Sequence, residues 1–230
     1  MLSSTVLISA PFWHAVGKGF LITMSLTAFS MILGLTLAVG LAAMQVYARG
    51  GWVVLSQAYI FVFRGVPFLI LLYLFYYGLP QFSWMRSGLI WDLFLSSPYR
   101  TALVVLTISN AAYLAEMVRG GMISVSRGLV EAGTAIGMSR FVTFRRIVAP
   151  IGFRAVLGNL GNETIAVVKA SAITSVITVQ DLMGGAAAVG QVYLDPFTPL
   201  LVVGVAYLII VQLIEMGVDR LRRSLAIPGR

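Results

Sequence analysis

The sequence predicts an all-α integral membrane protein with about five transmembrane helices, and three observations carry that prediction. Apolar side chains make up 59% of the 230 residues and charged ones only 10%, against about 25% charged in an ordinary soluble domain. Mean hydropathy is +0.95. Apolar stretches close to or above the ~18 residues needed to cross a bilayer recur along the chain. The same composition excludes several classes. With no cysteine there is neither a disulfide nor a thiolate metal site, and a lone histidine, His14, cannot build a histidine metal cluster. The net charge of +8 lies mostly in arginines of short loops between spans, which is a topology signal rather than a nucleic-acid surface. No charged n-region and no small-residue cleavage site precede a short apolar core, so no cleaved signal peptide is expected.

The elements follow in order within a single transmembrane domain, residues 1–230. The first span is expected over residues 19–45 and ends at the turn "YARGGW". The second covers residues 57–79 and stops at Pro80. The stretch "QFSWMRSGLIWDLFLSSPYR" is too interrupted to cross, and Trp84 and Trp91 suit an interfacial segment. The third span is expected over 101–118. The fourth, 151–179, is interrupted by Asn159, Asn162, Glu163 and Lys169. The fifth, 199–217, is uninterrupted. Five spans put the termini on opposite sides. Arg49, Arg119, Arg127, Arg140, Arg145, Arg146, Arg154, Arg220, Arg222, Arg223 and Arg230 fall on one side, 11 of the 16 basic residues. The positive-inside rule therefore places the N-terminus outside, the C-terminus in the cytoplasm and the 119–150 loop in the cytoplasm.

That loop contains "VEAGTAIGMSRFVTFRRIVAP". Glu131–Ile136 reads as a short helix with an acid in its first turn. Gly137 ends it and Ser139 caps the next. In that next helix Phe141, Phe144 and Val148 are expected on one face, with Arg140, Arg145 and Arg146 elsewhere and a break at Pro150. On physics alone two readings stay open: a docking element for a partner, or a charged loop that only fixes topology.

The spacing of Glu131, Ala132, Gly137, Ile147 and Pro150 resembles the E-A-A loop of permease subunits of bacterial ABC importers. This chain departs from that pattern at Gly133 and Ala149, where alanine and leucine are usual. "RGVPFLILLYLFYYGLP", "NAAYLAEMVRGG" and "GNETIAVVKASAITSVITVQDL" resemble the branch of that family that takes up polar amino acids and opines. The resemblance covers about residues 17–223. It implies the type I ABC importer permease fold in a bacterial inner membrane, and an identical or homologous permease partner. It also implies two cytoplasmic ATPase subunits and a periplasmic binding protein. Glu131, Ala132, Gly133, Gly137, Arg140, Arg145, Arg146, Ile147 and Pro150 would then couple the ATPases to the spans. The chain has no G-x4-G-K-[ST] phosphate cradle, so ATP and magnesium belong to the partner ATPases and no cofactor, metal or catalytic residue is expected here.

Ionisable groups within spans are costly and stand as functional candidates by default. Glu116 lies three residues from Arg119, a spacing suited to a local ion pair. Arg64 either snorkels or holds a neighbouring carbonyl, or meets a solute carboxylate. Asn159, Asn162 and Glu163, at i+3 and i+4, are expected on one stripe, either a solute contact or a polar seam between two permease subunits. Lys169 is expected to tie spans together by hydrogen bonds. The small-residue runs 20–34 and 184–190 suit close helix packing. A self-contained secondary amino-acid transporter is the alternative, though no internal repeat is visible. A membrane-embedded enzyme would need clustered acids or a Ser–His pair, which the sequence lacks.

Overall fold

The computed structural model describes Val6 and residues 9–86 and 88–225. The N-terminal residues read for a signal peptide lie largely outside the described residues, as does Arg230. Ten α-helices follow among the described residues: α1 (Ala10–Tyr47), α2 (Gly51–Gly65), α3 (Phe68–Tyr73), α4 (Ser83–Arg86), α5 (Pro98–Ile123), α6 (Arg127–Ala135), α7 (Arg140–Thr143), α8 (Ala149–Ser171), α9 (Leu182–Val192) and α10 (Phe197–Ser224). Among the described residues α1, α5 and α10 are the unbroken helices long and apolar enough to cross a membrane, and counting each of two bent pairs as one span brings the number to five.

The second expected span is one of those pairs. Instead of a single helix over 57–79, the chain turns through 101° between α2 and the stretch Phe68–Gln81. Pro67 is the cause. It disfavours helical geometry in the residue before it, and Val66 is extended (φ −89°, ψ 127°). The fourth span also departs from 151–179. α8 passes into a 3-10 turn, Ala172–Ile177, and then Thr178 adopts φ +69°. The chain re-enters as α9, bent by 45° from the helical path that precedes it. Asp181 starts α9 by accepting from the Gly184 amide at 2.9 Å. Residues 184–190 are therefore part of a helix packed within the bundle, against α1 and α10.

Small residues let these helices meet. A Cβ on Gly19 would stand 2.7 Å from the Asp181 carbonyl oxygen, where α1 crosses the start of α9. Gly121 of α5 and Gly152 of α8 face one another, and a Cβ on either would fall 2.8 or 2.9 Å from the other's carbonyl oxygen. Polar ties supplement this packing. Ser56 donates to the Leu41 carbonyl (2.9 Å), Tyr59 to the Ile108 carbonyl (2.7 Å) and Tyr99 to Ser25 Oγ (2.9 Å). The largest interface joins α1 to α5, whose Ala111, Ala112 and Ala115 are fully buried.

Candidate functional site

Two regions hold the residues singled out from the sequence. The first is the loop carrying α6 and α7. α6 begins at Arg127, so Glu131 lies mid-helix and not in a first turn. The helix ends where sequence placed its end. Gly137 has φ +81°, and the Gly137 and Met138 amides donate to the Thr134 and Gly133 carbonyls, each at 3.0 Å. Ser139 Oγ then accepts from the Val142 amide. Gly133 is buried, and a Cβ there would lie 2.9 Å from Ile147 Cδ1. The glycine thus accommodates the Ile147 side chain.

A π turn, Phe144–Val148, continues into α8 without the expected break at Pro150. Pro150 is the second residue of α8, a position at which its missing N–H costs little. Phe144, Ile147 and Val148 pack with Ala42, Met122 and Val125, anchoring the loop to the ends of α1 and α5. Phe141 does not join them; it is 71% exposed, beside Ile136 at 74%. Glu131, Ala132, Gly137, Arg140, Arg145, Arg146 and Pro150 are exposed as well. The loop thus presents two bare apolar side chains on either side of Gly137, rimmed by charge.

The second region lies around the α2–α3 bend. A cavity of about 470 Å³ is lined by Arg64, Ser109, Asn110, Tyr113, Glu163 and neighbouring apolar residues. Asn110 is 3% exposed; its Nδ2 donates to Met31 Sδ at 3.2 Å, while its Oδ1 has no partner. The sequence did not single out Asn110. Its signal was an amide in an otherwise apolar and small-residue stretch, "SNAAY". An adjoining hollow of about 740 Å³ is lined by Gln45, Gln57, Arg64, Tyr113, Glu116 and Arg119 among others. There the expected ion pair is present: Arg119 donates to Glu116 Oε2 from Nη2 at 2.8 Å and from Nε at 3.2 Å. Gln45 Nε2 adds a donor to Glu116 Oε1 at 3.3 Å.

The polar stripe of α8 is divided. Glu163 faces the first cavity with Arg64, whereas Asn162 lines a separate 190 Å³ hollow with Glu215, Asp219 and Arg222. Adjacent residues on a helix lie ~100° apart, so these two side chains meet different neighbours. Asn159 is exposed and lines neither. Lys169 is exposed too and makes no hydrogen bond to another described residue, contrary to the expected tie. Among the described residues no cluster of side chains suits a metal ion.

Residues 30–227 match the family described as the binding-protein-dependent transport system inner membrane component. The chain belongs to that family. This inner membrane component is 44% identical to the octopine transport system permease protein OccM of Rhizobium radiobacter over 174 residues, 75% of this chain and 70% of that one. It is 35% identical to the nopaline transport system permease protein NocM of Agrobacterium fabrum (82% and 78% of the two chains). It is 32% identical to the glutamine transport system permease protein GlnP of Escherichia coli K12 (88% and 90%). Its fold superposes with a TM-score of 0.81 on the crystal structure of an amino acid ABC transporter with histidines, at 27% identity over 93% of this chain and 95% of that one. An inward-facing MetNI methionine ABC transporter gives 0.77 at 23% identity, covering 96% and 100%, a likeness of fold alone. The inner membrane component is thus an all-α, multi-pass membrane protein of the type I ABC importer permease fold. Membership in a binding-protein-dependent family overturns the alternative of a self-contained carrier.

Proposed function

We propose that this chain is the membrane-spanning subunit of an ATP-driven importer for a polar amino acid or an opine-type derivative, working in a bacterial inner membrane. The observation that carries the solute class is the cavity at the α2–α3 bend. It offers a guanidinium, a carboxylate and an unpartnered buried amide oxygen on its walls: Arg64, Glu163 and Asn110. Arg64 has no ion-pair partner among the described residues, and neither has Glu163, whereas Arg119 and Glu116 are committed to each other. A zwitterion answers that arrangement. Its carboxylate pairs with Arg64, and its ammonium or a cationic side chain pairs with Glu163 and donates to Asn110 Oδ1. A cavity of about 470 Å³ lies in the range of small-molecule sites. The names of the octopine, nopaline and glutamine relatives support the same class.

The chain does no catalysis. ATP and magnesium are handled by two cytoplasmic ATPase subunits, solute is delivered by a periplasmic binding protein, and an identical or homologous permease completes the pathway. The N-terminus lies outside and the C-terminus in the cytoplasm. The loop from Glu131 to Pro150 receives the ATPases, with Ile136 and Phe141 as its apolar contacts and Arg140, Arg145 and Arg146 as its charged rim.

Reconstitution with the ATPases and binding protein tests both halves. Arg64→Gln and Glu163→Gln are each expected to lower uptake of labelled opine or glutamine by about tenfold or more, as loss of a charged hydrogen bond implies. ATPase co-purification should be unchanged in both. Gly137→Val forces a β-branched residue to φ +81° and is expected to lose ATPase co-purification and uptake together, at normal insertion levels. Unaltered uptake in all three variants would sink this reading.

A further inference from the structure

The two hollows beside the α2–α3 bend meet at three residues. Their linings have Arg64, Gly65 and Tyr113 in common and nothing else. Along α5 the lining runs as a ladder of one-turn steps. Ser109 and Asn110 belong to the first hollow, Tyr113 to both, and Glu116 and Arg119 to the second. The seven-residue step from Ser109 to Glu116 corresponds to ~10 Å of rise, so the hollows are stacked along the helix with Tyr113 between them.

Tyr113 holds Arg64 twice. The guanidinium carbon lies 5.3 Å from the centroid of the Tyr113 ring, within cation–π range. The Tyr113 hydroxyl donates to the Arg64 carbonyl at 3.4 Å. That carbonyl is one of the last four of α2, which a helix end leaves without an intrahelical partner. The backbone just beyond it turns through 101°, with Gly65 the last residue of the helix and Pro67 after it. Arg64 therefore sits on a bend, clamped by one side chain, and lines both hollows, each of which holds a carboxylate, Glu163 in one and Glu116 in the other.

From this geometry we infer that Arg64 and Tyr113 form a gate that divides the solute cavity from a second, charged vestibule, with the Arg64–Tyr113 contact as its shut state. Opening requires Arg64 to leave the ring face. Glu116 is already paired with Arg119, so the guanidinium swings into the solute cavity, where a solute carboxylate holds it, and it returns to the ring once that carboxylate has left. The inference rests on the proposed solute cavity only for the identity of what passes; the partition itself is a matter of access.

Access is measurable without knowing the solute. The chain has no cysteine, so labelling read on this subunit alone reports a single introduced thiol. In the assembled, nucleotide-free transporter in proteoliposomes, Gln57→Cys marks the vestibule and identifies the side from which a charged, membrane-impermeant methanethiosulfonate enters it. From that side Ser109→Cys, in the solute cavity, is expected to be protected. Adding Tyr113→Ala should raise its labelling rate about tenfold, the ratio for a gate shut roughly nine-tenths of the time. Tyr113→Phe keeps the ring and should keep the protection. Arg64→Gln removes the contact from the other partner and gives the same opening should Tyr113→Ala fail to assemble.

Equal labelling of Ser109→Cys with and without the Arg64–Tyr113 contact overturns the gate, and normal uptake by the parent transporter would leave the solute reading standing. Conversely, if the contact protects Ser109→Cys but the parent transporter takes up no amino acid or opine, the solute reading fails and the gate remains.

Discussion

In the part of α10 best able to cross a membrane only 22% of residues are buried inside the protein; in the corresponding part of α5 the figure is 50%. Yet α10 is the more apolar of the two. Its exposed side chains include Leu200, Leu201, Val205, Leu208, Ile209 and Leu213, while α5 buries Thr101, Ser109, Asn110, Ala111, Ala112, Ala115 and Gly121. The contrast reverses the rule for soluble proteins. Lipid tails are as apolar as leucine, so burying leucine against another helix gains little, whereas small and hydrogen-bonding residues gain contact that lipid cannot supply. Hydropathy in this protein reports exposure to the bilayer, and small-residue content reports the core.

The comparison can be broken most severely at the α5–α8 crossing. Gly121→Leu places a branched side chain where a Cβ alone would stand 2.8 Å from the Gly152 carbonyl oxygen. We expect a loss exceeding about 3 kcal/mol, read as collapse of the monodisperse peak after mild heating in detergent. A finer test uses two neighbours on α10. Ile210 is 4% exposed and packs with Val168, Leu182, Ala186 and Val203, while Ile209 is 56% exposed. Ile210→Ala is expected to cost about 2 kcal/mol, the low end for a soluble core because lipid removes the transfer term. Ile209→Ala should stay within about 0.5 kcal/mol in the same thermal assay. The smallest effect has the opposite sign. Gly204 of α10 has open space around its Cβ position, so Gly204→Ala should stabilise by about 0.5–1 kcal/mol through helix propensity. Destabilisation there would mean that this face of α10 is covered tightly by a partner.

Much of this architecture was legible in the sequence, because apolar runs of bilayer length mark membrane-crossing segments and Gly137 marks a helix end. What escaped was local. Apolar composition continues straight through Val66-Pro67, so a single span was expected where the proline forces a bend of 101°. Phe141, Phe144 and Val148 fall on one face only if every residue turns the helix by ~100°. The wider turn at Phe144–Val148 breaks that register, and Phe141 points away. Glu163 and Asn162 were grouped by spacing, yet neighbouring helices divide them. Glu163 and Arg64 were each identified alone. That they share a cavity depends on how α2, α5 and α8 pack, which no single-segment pattern encodes. Asn110 was hidden for a similar reason: a lone amide among alanines reads as a packing residue until its unpaired oxygen is seen at a cavity wall.

One helix takes part in all five hydrophobic clusters. α1 contributes Phe12, Val16, Leu26, Ala38 and Ala42 in turn, from the neighbourhood of Val189 at one end to that of Val148 at the other. Its 38 residues make a rod of about 57 Å at ~1.5 Å per residue, nearly twice the ~30 Å hydrocarbon thickness. Such an element keeps phase along its whole length. A single residue inserted near Ser30 would rotate one half of its contacts against the other by ~100°, lifting Gly19 from Asp181 or Ala42 from Met122, with no loop between to take up the error. The chain therefore tolerates changes in its connecting segments far better than any change in the count of this helix.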